Sequence, residues 1–138
     1  MRCLIATIIL LAGLSPVHAQ IKQQQEDLSS VPDGSYVTYY PNGQVRFEGY
    51  VLNHKWEGDN KFFYKNGQLE SKGCYKNGKP EGSWESYYGN GQPEKKSTYR
   101  YGLWEGRYLW YTQSGRITET IYSKGEIIRG DVVLSEGN

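Results

Sequence analysis

The sequence GDNKFFYKNGQLESKGCYKNGKPE, residues 58–81, is one of four related 24-residue segments that decide the fold. The other three occupy residues 34–57, 82–105 and 106–129. Two glycine series keep the same 24-residue step: Gly34, Gly58, Gly82, Gly106 and Gly130 in one, and Gly43, Gly67, Gly91 and Gly115 in the other. Self-similarity at a fixed step predicts one small structural unit that is stacked on itself.

Each segment divides into two predicted β-strands. The first strands are Tyr36–Tyr40, Asn60–Tyr64, Trp84–Tyr88 and Tyr108–Thr112. The second strands are Gln44–Val51, Gln68–Tyr75, Gln92–Tyr99 and Arg116–Tyr122. The pattern predicts an all-β fold, an elongated antiparallel β-meander of four β-hairpin repeats, with a partial fifth repeat at residues 130–134 as a terminal strand. Nine strands spaced about 4.8 Å apart would extend roughly 40 Å.

Two series of turns connect the predicted strands. Within the segments lie Asn42-Gly43, Asn66-Gly67, Asn90-Gly91 and Ser114-Gly115. We expect type I′ turns there, because both central residues of such a turn need positive φ and Asn-Gly meets that need best. Between the segments lie the linking turns, at Asn53-His54, Asn77-Gly78, Tyr101-Gly102 and Lys124-Gly125, a series that slips by one residue in the last repeat.

The first 19 residues have the features of a secretory signal peptide. Arg2 provides the positive charge, Leu4–Leu14 the short apolar run, and Val17-His18-Ala19 a small-residue cleavage site. A bilayer span needs about 20 apolar residues, so a retained membrane anchor is the less favoured alternative. We therefore expect an exported protein, periplasmic or secreted, with a flexible polar linker at residues 20–33, the repeats at 34–134 and a tail at 135–138.

The charge balance argues against a nucleic-acid partner. Cleavage after Ala19 removes one basic residue, Arg2, from the 16, and leaves 15 basic residues against 15 acidic ones. A chain without excess positive charge lacks the electrostatic footprint of a nucleic-acid-binding protein. The 13 tyrosines, 4 tryptophans and 3 phenylalanines suit a pleated sheet better than helix packing.

Catalytic and metal-binding side chains are too few for an enzyme. After cleavage the chain keeps one histidine, His54 in a linking turn, and one cysteine, Cys74. Neither has the neighbours of a catalytic triad or of a tetrahedral metal site, so we expect no catalytic residue, no metal and no cofactor. The simpler interpretation of Cys74 is a small buried hydrophobe, although a single thiol in an exported chain also allows a disulfide-linked homodimer.

Three glutamates recur directly before the leading glycines: Glu57, Glu81 and Glu105. One interpretation is a ladder of carboxylates that binds a basic partner. The interpretation we favour is a solvated row that pairs with the nearby cations Lys55, Lys79 and Arg107, where each surface pair contributes about 0–1 kcal/mol.

Aromatic side chains supply the one candidate binding site. Alternate residues of a strand face opposite ways, and both faces of the first strands carry aromatic residues. A single-layer sheet cannot bury all of them, so one face should stay partly open to a partner. The alternative is that these rings pack only on each other. The candidate site residues are Tyr64, Trp84, Tyr88, Tyr108 and Trp110. Exposed strand edges are a second surface, for strand addition by a partner or for a homodimer.

The chain resembles the variant MORN repeat (membrane occupation and recognition nexus) in two runs: Gly82-Ser83-Trp84-Glu85-Ser86-Tyr87-Tyr88-Gly89-Asn90-Gly91-Gln92, and Tyr75-Lys76-Asn77-Gly78-Lys79-Pro80-Glu81-Gly82. The resemblance extends from Gly34 to Asp131. It implies an elongated β-hairpin array without enzymatic activity, whose relatives serve as interaction, scaffold or membrane-associated modules, and some bacterial relatives are labelled antitoxins. A weaker resemblance, to cell-wall choline-binding repeats, is disfavoured by their shorter period.

Two functions follow from these observations. The first is an exported, non-enzymatic module that binds a protein partner, with an antitoxin- or immunity-like role as one form of it, through the aromatic sheet face or a strand edge. The second is a cell-envelope protein that binds glycan or lipid through stacked Trp and Tyr. Neutral charge weakens the lipid version, because the chain has no Lys/Arg cluster to attract anionic headgroups.

Overall fold

The computed structural model of this chain describes residues 27–137. The predicted signal peptide and half of the predicted linker fall on residues 1–26 and lie outside the described residues, as does Asn138. The signal peptide and export therefore stay predictions. Within residues 27–137 no helix has the length and hydropathy needed to cross a bilayer.

The described chain folds into ten β-strands: β1 (Gly34–Tyr39), β2 (Val45–Leu52), β3 (Lys55–Phe63), β4 (Leu69–Lys76), β5 (Lys79–Tyr87), β6 (Pro93–Arg100), β7 (Leu103–Trp104), β8 (Gly106–Tyr111), β9 (Arg116–Ser123) and β10 (Glu126–Glu136). They form one open antiparallel sheet in chain order, except that the short β7 pairs with β6 off the main path. This confirms the all-β meander. The tenth strand arises because the strand that corresponds to β3 and β5 is split into β7 and β8 at Glu105, where the third and fourth repeats meet.

The strands begin and end at other residues than predicted. β3 begins at Lys55 rather than Asn60, directly after a linking turn, and β5 likewise begins at Lys79. The leading glycines Gly58 and Gly82 therefore lie inside strands, where their φ angles are 68° and 72°. The β2–β3 ladder shifts register beside Gly58. Glycine accepts positive φ at such a bulge without a steric cost.

The Asn-Gly turns close hairpins as predicted, but their turn type differs. Asn42 has negative φ, whereas Gly43 has a φ of 84°. The Gly43 N–H donates to the Tyr40 carbonyl (2.9 Å) and the Tyr40 N–H donates to the Gln44 carbonyl (2.8 Å). This is a three-residue turn closed by a glycine bulge, so the type I′ prediction is wrong. The Asn42 side chain explains the difference, because its Oδ1 accepts the Gln44 N–H (3.1 Å) without needing positive φ at the asparagine.

Type I′ geometry instead occurs at the linking turns, where both central residues have positive φ. The pairs are 50° and 57° at Asn53-His54, 51° and 75° at Asn77-Gly78, 53° and 83° at Tyr101-Gly102, and 51° and 84° at Lys124-Gly125. The twist of such two-residue turns matches the right-handed twist of the flanking strands. These turns therefore set the register between one repeat and the next.

The one-residue slip in the last repeat removes a β-bulge. In the first three hairpins one residue after the Asn-Gly turn is left out of the ladder: Arg46, Glu70 and Glu94. The fourth hairpin, β8 with β9, pairs without interruption from Tyr111 opposite Ile117 to Gly106 opposite Tyr122. A bulge changes the direction in which a side chain points. In the first three repeats the bulge residue therefore adds a side chain to the surface of the sheet, and the fourth repeat has no such residue.

Two rims, one along each row of turns, tie each repeat to the next. Along the Asn-Gly rim, tyrosine hydroxyls donate to carbonyls of the following repeat: Tyr40 to Phe63 (2.7 Å), Tyr64 to Tyr87 (2.8 Å) and Tyr88 to Tyr111 (2.9 Å). Along the linking rim, carboxylates accept the first N–H of the next linking turn: Asp33 from Asn53 (2.7 Å), Glu57 from Asn77 (2.8 Å), Glu81 from Tyr101 (2.7 Å) and Glu105 from Lys124 (2.8 Å).

The predicted role of the three recurring glutamates, as one half of surface ion pairs, is therefore wrong. Glu57, Glu81 and Glu105 cap linking turns instead of pairing with Lys55, Lys79 and Arg107. A turn N–H that has no strand partner needs an acceptor, and the glutamate of the preceding repeat provides it. Each glutamate thus links two neighbouring repeats through one hydrogen bond.

Candidate functional site

Residues directly opposite each other on antiparallel strands point to the same face, so the ladder register defines rows of side chains across the sheet. The row nearest the linking turns contains Val51, Trp56, Tyr75, Pro80, Tyr99, Trp104, Tyr122 and Ile127. The middle row contains Tyr36, Gly49, Asn60, Gly73, Trp84, Ser97, Tyr108 and Thr120. The row nearest the Asn-Gly turns contains Thr38, Phe47, Phe62, Ser71, Ser86, Lys95, Trp110, Thr118 and Val133. We call the surface of these three rows the aromatic face and the opposite surface the charged face.

Large and small residues alternate in the middle row, because each ring lies against the backbone of the neighbouring strand. A Cβ added to Gly73 would fall well inside contact distance of the Trp84 ring. The Trp84 Nε1 also donates to the carbonyl of Cys74 (3.2 Å). In the adjoining row Tyr75, Tyr99 and Trp104 are only 8%, 5% and 5% exposed. This part of the aromatic face is a packed core rather than an open surface.

Among residues 27–137, the aromatic rings that contact each other form two groups. The first contains Tyr36, Phe47, Trp56 and Phe62, and its closest ring pair has centroids 4.7 Å apart. The second contains Tyr75, Trp84, Tyr99, Trp104, Tyr108 and Tyr122, and its closest pair is 4.6 Å apart. Burial raises the pKa of Tyr75 and of Tyr99 to about 12. The cause of both shifts is loss of water around the hydroxyls, as expected for members of a core.

The row nearest the Asn-Gly turns is interrupted at its centre. Ser71, Ser86 and Lys95 stand between Phe62 and Trp110. The two serines lie directly opposite each other on β4 and β5, so the row has no large side chain there. Trp110 at the far side is 44% exposed. We call this interval, which crosses about 19 Å of sheet, the central gap.

The bulges bring two carboxylates to the central gap, and one of them is neutralised by its neighbours. Lys95 Nζ lies 3.2 Å from Glu94 Oε1, and Ser86 Oγ donates to Glu94 Oε2 (3.3 Å). The side chains of Lys95 and Glu94 are 27% and 24% exposed. Partial burial of the pair reduces its screening by salt.

The equivalent carboxylate of the preceding repeat, Glu70, lacks both partners. Ser71 takes the place of Lys95 and Phe62 takes the place of Ser86. Within residues 27–137, no group donates a hydrogen bond to Glu70 or forms an ion pair with it. Burial, and after it the charge of Glu94, raises the pKa of Glu70. The central gap therefore contains a half-buried carboxylate without a counter-ion among the described residues.

The structure places the five predicted site residues in three settings. Tyr64 and Tyr88 belong to the Asn-Gly rim, where both hydroxyls are engaged with the next repeat. Trp84 and Tyr108 belong to the packed middle row. Trp110 borders the central gap and is exposed. The five residues surround the gap rather than form one continuous surface, and their role in binding stays a prediction.

Sequence reasoning missed the polar residues of this site. Strict alternation puts Glu94 and Lys95 on opposite faces, whereas the bulge brings their side chains together. The available signal was the one-residue slip in the last repeat, because it marks an additional residue in the second strands of the first three. Glu70 and Glu94 are those additional residues.

The charged face carries a row of acidic and basic side chains that form ion pairs with each other. Glu85 at its centre lies 3.1 Å from Lys72 and 3.4 Å from Lys96, and it accepts the Tyr87 hydroxyl (2.7 Å). The Tyr87 hydroxyl and the two lysines lower the pKa of Glu85 to about 2. Farther along the row, Glu119 pairs with arginines on both neighbouring strands.

Cys74 lies on the charged face, in a groove of about 310 Å³ that Asp59, Lys61, Lys72 and Glu85 also line. Burial, followed by the nearby carboxylates, raises the pKa of Cys74. A raised pKa makes the thiol a weaker nucleophile at neutral pH. In the part of the chain that the structure describes, no three His, Cys, Asp or Glu side chains are grouped so as to hold a metal ion.

The outer strand β10 carries exposed apolar side chains: Ile127 (60%), Ile128 (67%), Val132 (39%), Val133 (37%) and Leu134 (49%). It pairs with β9 on one side, through a ladder with three register shifts. Shifts of this kind discourage the addition of a further strand. A homodimer through a strand edge or through Cys74 stays a prediction.

Comparison with known protein families agrees with the repeat architecture. The family model described as MORN repeat variant matches residues 32–53, 56–77 and 80–101. Each matched segment ends at the first residue of a linking turn, so the family unit is one complete hairpin between two such turns. No curated protein matches the chain.

Proposed function

Because this chain belongs to the MORN repeat variant family, whose repeats are generally non-enzymatic protein- or membrane-interaction modules, we propose that it is an exported module that binds a protein partner. The surface we propose is the central gap of the aromatic face, with Trp110 as its anchor. Exposed Trp and Tyr side chains are the residues most enriched at binding hot spots.

The central gap is the observation that carries this proposal. Elsewhere the rings of the aromatic face pack on each other and on glycine backbone. At the gap the face offers the Ser71 hydroxyl, the Glu70 carboxylate, which has no counter-ion among the described residues, and flanking rings. Ligand sites combine apolar walls with a few polar groups in this way.

The charged face is the weaker candidate, because its charges already pair with each other. A partner there would have to remove water from Glu85, Lys72 and Lys96 without offering better contacts than they have. Such desolvation commonly cancels the Coulomb gain. We therefore assign the partner to the aromatic face.

Affinity capture from the envelope fraction of the native cell, with crosslinking and mass spectrometry, tests this proposal. Trp110→Ala removes the exposed ring of the gap, and Tyr101→Ala is the matched control because Tyr101 is 71% exposed on the linking rim. We expect one dominant protein that Trp110→Ala loses and Tyr101→Ala keeps. Equal recovery with all three proteins would contradict the proposal.

An antitoxin- or immunity-like role is the finer form of the same proposal. It requires that the captured partner be harmful when it is expressed alone and harmless when this protein is co-expressed. Growth assays with and without co-expression measure this directly. A captured partner that is harmless alone would remove this form and leave the binding function in place.

Glycan binding in the cell envelope is the second candidate, and the exposed Trp110 ring at the edge of a gap that also holds carboxylates favours it. An exposed ring and acceptors on one surface suit a ligand with an apolar face and several hydroxyl donors. Binding to purified envelope polysaccharide that Trp110→Ala loses, without recovery of a protein, would support glycan over protein. The balanced charge of the chain disfavours the lipid version.

A further inference from the structure

The third repeat shows how this sheet satisfies a carboxylate at the bulge position. Glu94 is held by an ammonium, from Lys95, and by a hydroxyl, from Ser86. Both partners lie on the aromatic face, directly opposite each other beside the bulge. In the half of the central gap that the third repeat forms, the protein thus pairs the carboxylate with an ammonium of its own.

The second repeat has the same backbone and the same carboxylate without the ammonium. The bulge at Glu70 lies between Leu69 and Ser71, as the bulge at Glu94 lies between Pro93 and Lys95. Ser71 is too short to reach its neighbour as Lys95 does, and Phe62 has no hydroxyl to donate. The gap therefore has no cation above Ser71, although the same backbone geometry in the third repeat holds the ammonium of Lys95.

We propose that the protein partner docks on the aromatic face by placing one Lys or Arg side chain over Ser71, where its charged group pairs with Glu70. The inference rests on the proposed function, because it assumes that a protein segment occupies the central gap. Phe62 and Tyr64 border the same place and contact the aliphatic part of the incoming side chain. A charged pair between half-buried groups gives direction and specificity to docking more than raw affinity.

Several neighbours face Glu70 and determine its charge. Glu94 repels it, Lys95 is occupied by Glu94, and the hydroxyl of Tyr64 is already donated to the Tyr87 carbonyl. The raised pKa of Glu70 agrees with a carboxylate that has lost water and gained no donor. A partner cation reverses this imbalance.

A displayed library of random 12-residue peptides is the probe that tests the inference. The library is selected on the purified protein, and each recovered peptide is then measured on Trp110→Ala, Glu70→Gln and Glu126→Gln. Glu126 is an exposed glutamate on β10, outside the gap, and serves as the control. We expect peptides that depend on Trp110 to contain a Lys or Arg, to bind Glu70→Gln about tenfold more weakly and to bind Glu126→Gln unchanged.

Two further variants make the test independent of any folding defect. Ser71→Lys copies the Lys95 arrangement and should abolish the preference for basic peptides while it leaves the fold intact. Glu70→Lys should instead select peptides that contain Asp or Glu. A gain of the opposite preference cannot come from a protein that has failed to fold.

The outcomes separate this inference from the function on which it rests. Peptides that lose binding on Trp110→Ala but show no enrichment of Lys or Arg, or that ignore Glu70→Gln, overturn the cation inference and keep the aromatic face as the binding surface. A selection that recovers no peptide dependent on Trp110 overturns both.

Discussion

The two faces of this sheet are made by the same strands and yet hold the protein together in different ways. On the aromatic face, rings of neighbouring repeats pack on each other and on bare glycine backbone. On the charged face, side chains such as Lys72 and Lys96, 47% and 55% exposed, pair with Glu85 in solvent. Burial of apolar area stabilises far more than exposed ion pairs do, so the aromatic face should carry most of the stability.

The same comparison locates the place where binding and stability separate. Where its two ring groups lie the aromatic face is packed, whereas at the central gap Ser71 and Ser86 replace the rings found at Phe62 and Trp110. A surface that is open beside a packed core is free to serve a partner at little cost to the fold. Substitutions on either face, ordered by expected effect, can break or sharpen this division.

Two tryptophans on the aromatic face should differ most. Trp84→Ala removes a ring that packs on Gly73 and contacts Tyr75 and Tyr99, and it should lower the free energy of unfolding by about 3 kcal/mol. Trp110→Ala removes a ring at the edge of the gap and should cost less than about 1 kcal/mol. Urea unfolding followed by far-ultraviolet circular dichroism measures both. Equal losses would mean that Trp110 is part of the core.

Close packing of rings on the backbone predicts the next largest effect. Gly73→Ala puts a methyl group into the Trp84 ring and should cost about 2 kcal/mol, because a well-packed site resists added volume. Gly89→Ala is the control, since a Cβ there meets nothing within 4 Å. The same unfolding measurement applies, and a Gly73→Ala protein as stable as Gly89→Ala would show that the ring does not lie where we describe it.

The charged face should respond weakly and with a defined pH dependence. Glu85→Gln should cost about 1 kcal/mol at pH 7, the range of exposed pairs. Because folding lowers the pKa of Glu85 from 4.5 to about 2, its contribution is present above about pH 4.5 and disappears as the pH falls toward 2. Unfolding curves of wild type and variant should therefore converge between these values. A difference that persists at pH 2 would contradict this assignment.

Glu70 should behave in the opposite sense. Its pKa is raised in the folded protein, so its protonated form favours folding at low pH and its charge opposes folding as the pH rises past that pKa. Glu70→Gln should therefore stabilise the protein at pH 7, by about 0.5 kcal/mol after solvent screening, and should have no effect below about pH 4. Destabilisation at pH 7 would show that the carboxylate has a stabilising partner.

The period in the sequence predicted most of the fold and little of the site. Hairpins, strand order and both turn series follow from the 24-residue step, because stacking one unit on itself leaves few other arrangements. The predicted turn type at Asn42-Gly43 was wrong, since the hydrogen bond from the Gln44 N–H to the Asn42 side chain competes with the backbone preference for type I′. The role of Glu81 was missed because the N–H that donates to its carboxylate belongs to a turn 20 residues downstream.

The central gap depends on geometry that alternation does not describe. Each bulge shifts the following side chains by one position, and this shift brings Glu94 and Lys95 together. Which aromatic rings are packed and which are open depends on small partners such as Gly73 and Ser71 on the neighbouring strand. Those contacts depend on the pairing register of neighbouring strands, and this register could be determined only from the structure.

Site-specific photocrosslinking at two adjacent positions tests most directly whether the partner binds the aromatic face. A benzophenone amino acid replaces Trp110, on the aromatic face, in one protein and Leu109, in the charged-face row opposite Lys96, in the other. The two positions are adjacent in β8, and their side chains point to opposite faces of the sheet. We predict a crosslinked partner in the native envelope from position 110 and none from position 109. Crosslinking from position 109 alone would place the partner on the charged face and contradict the account.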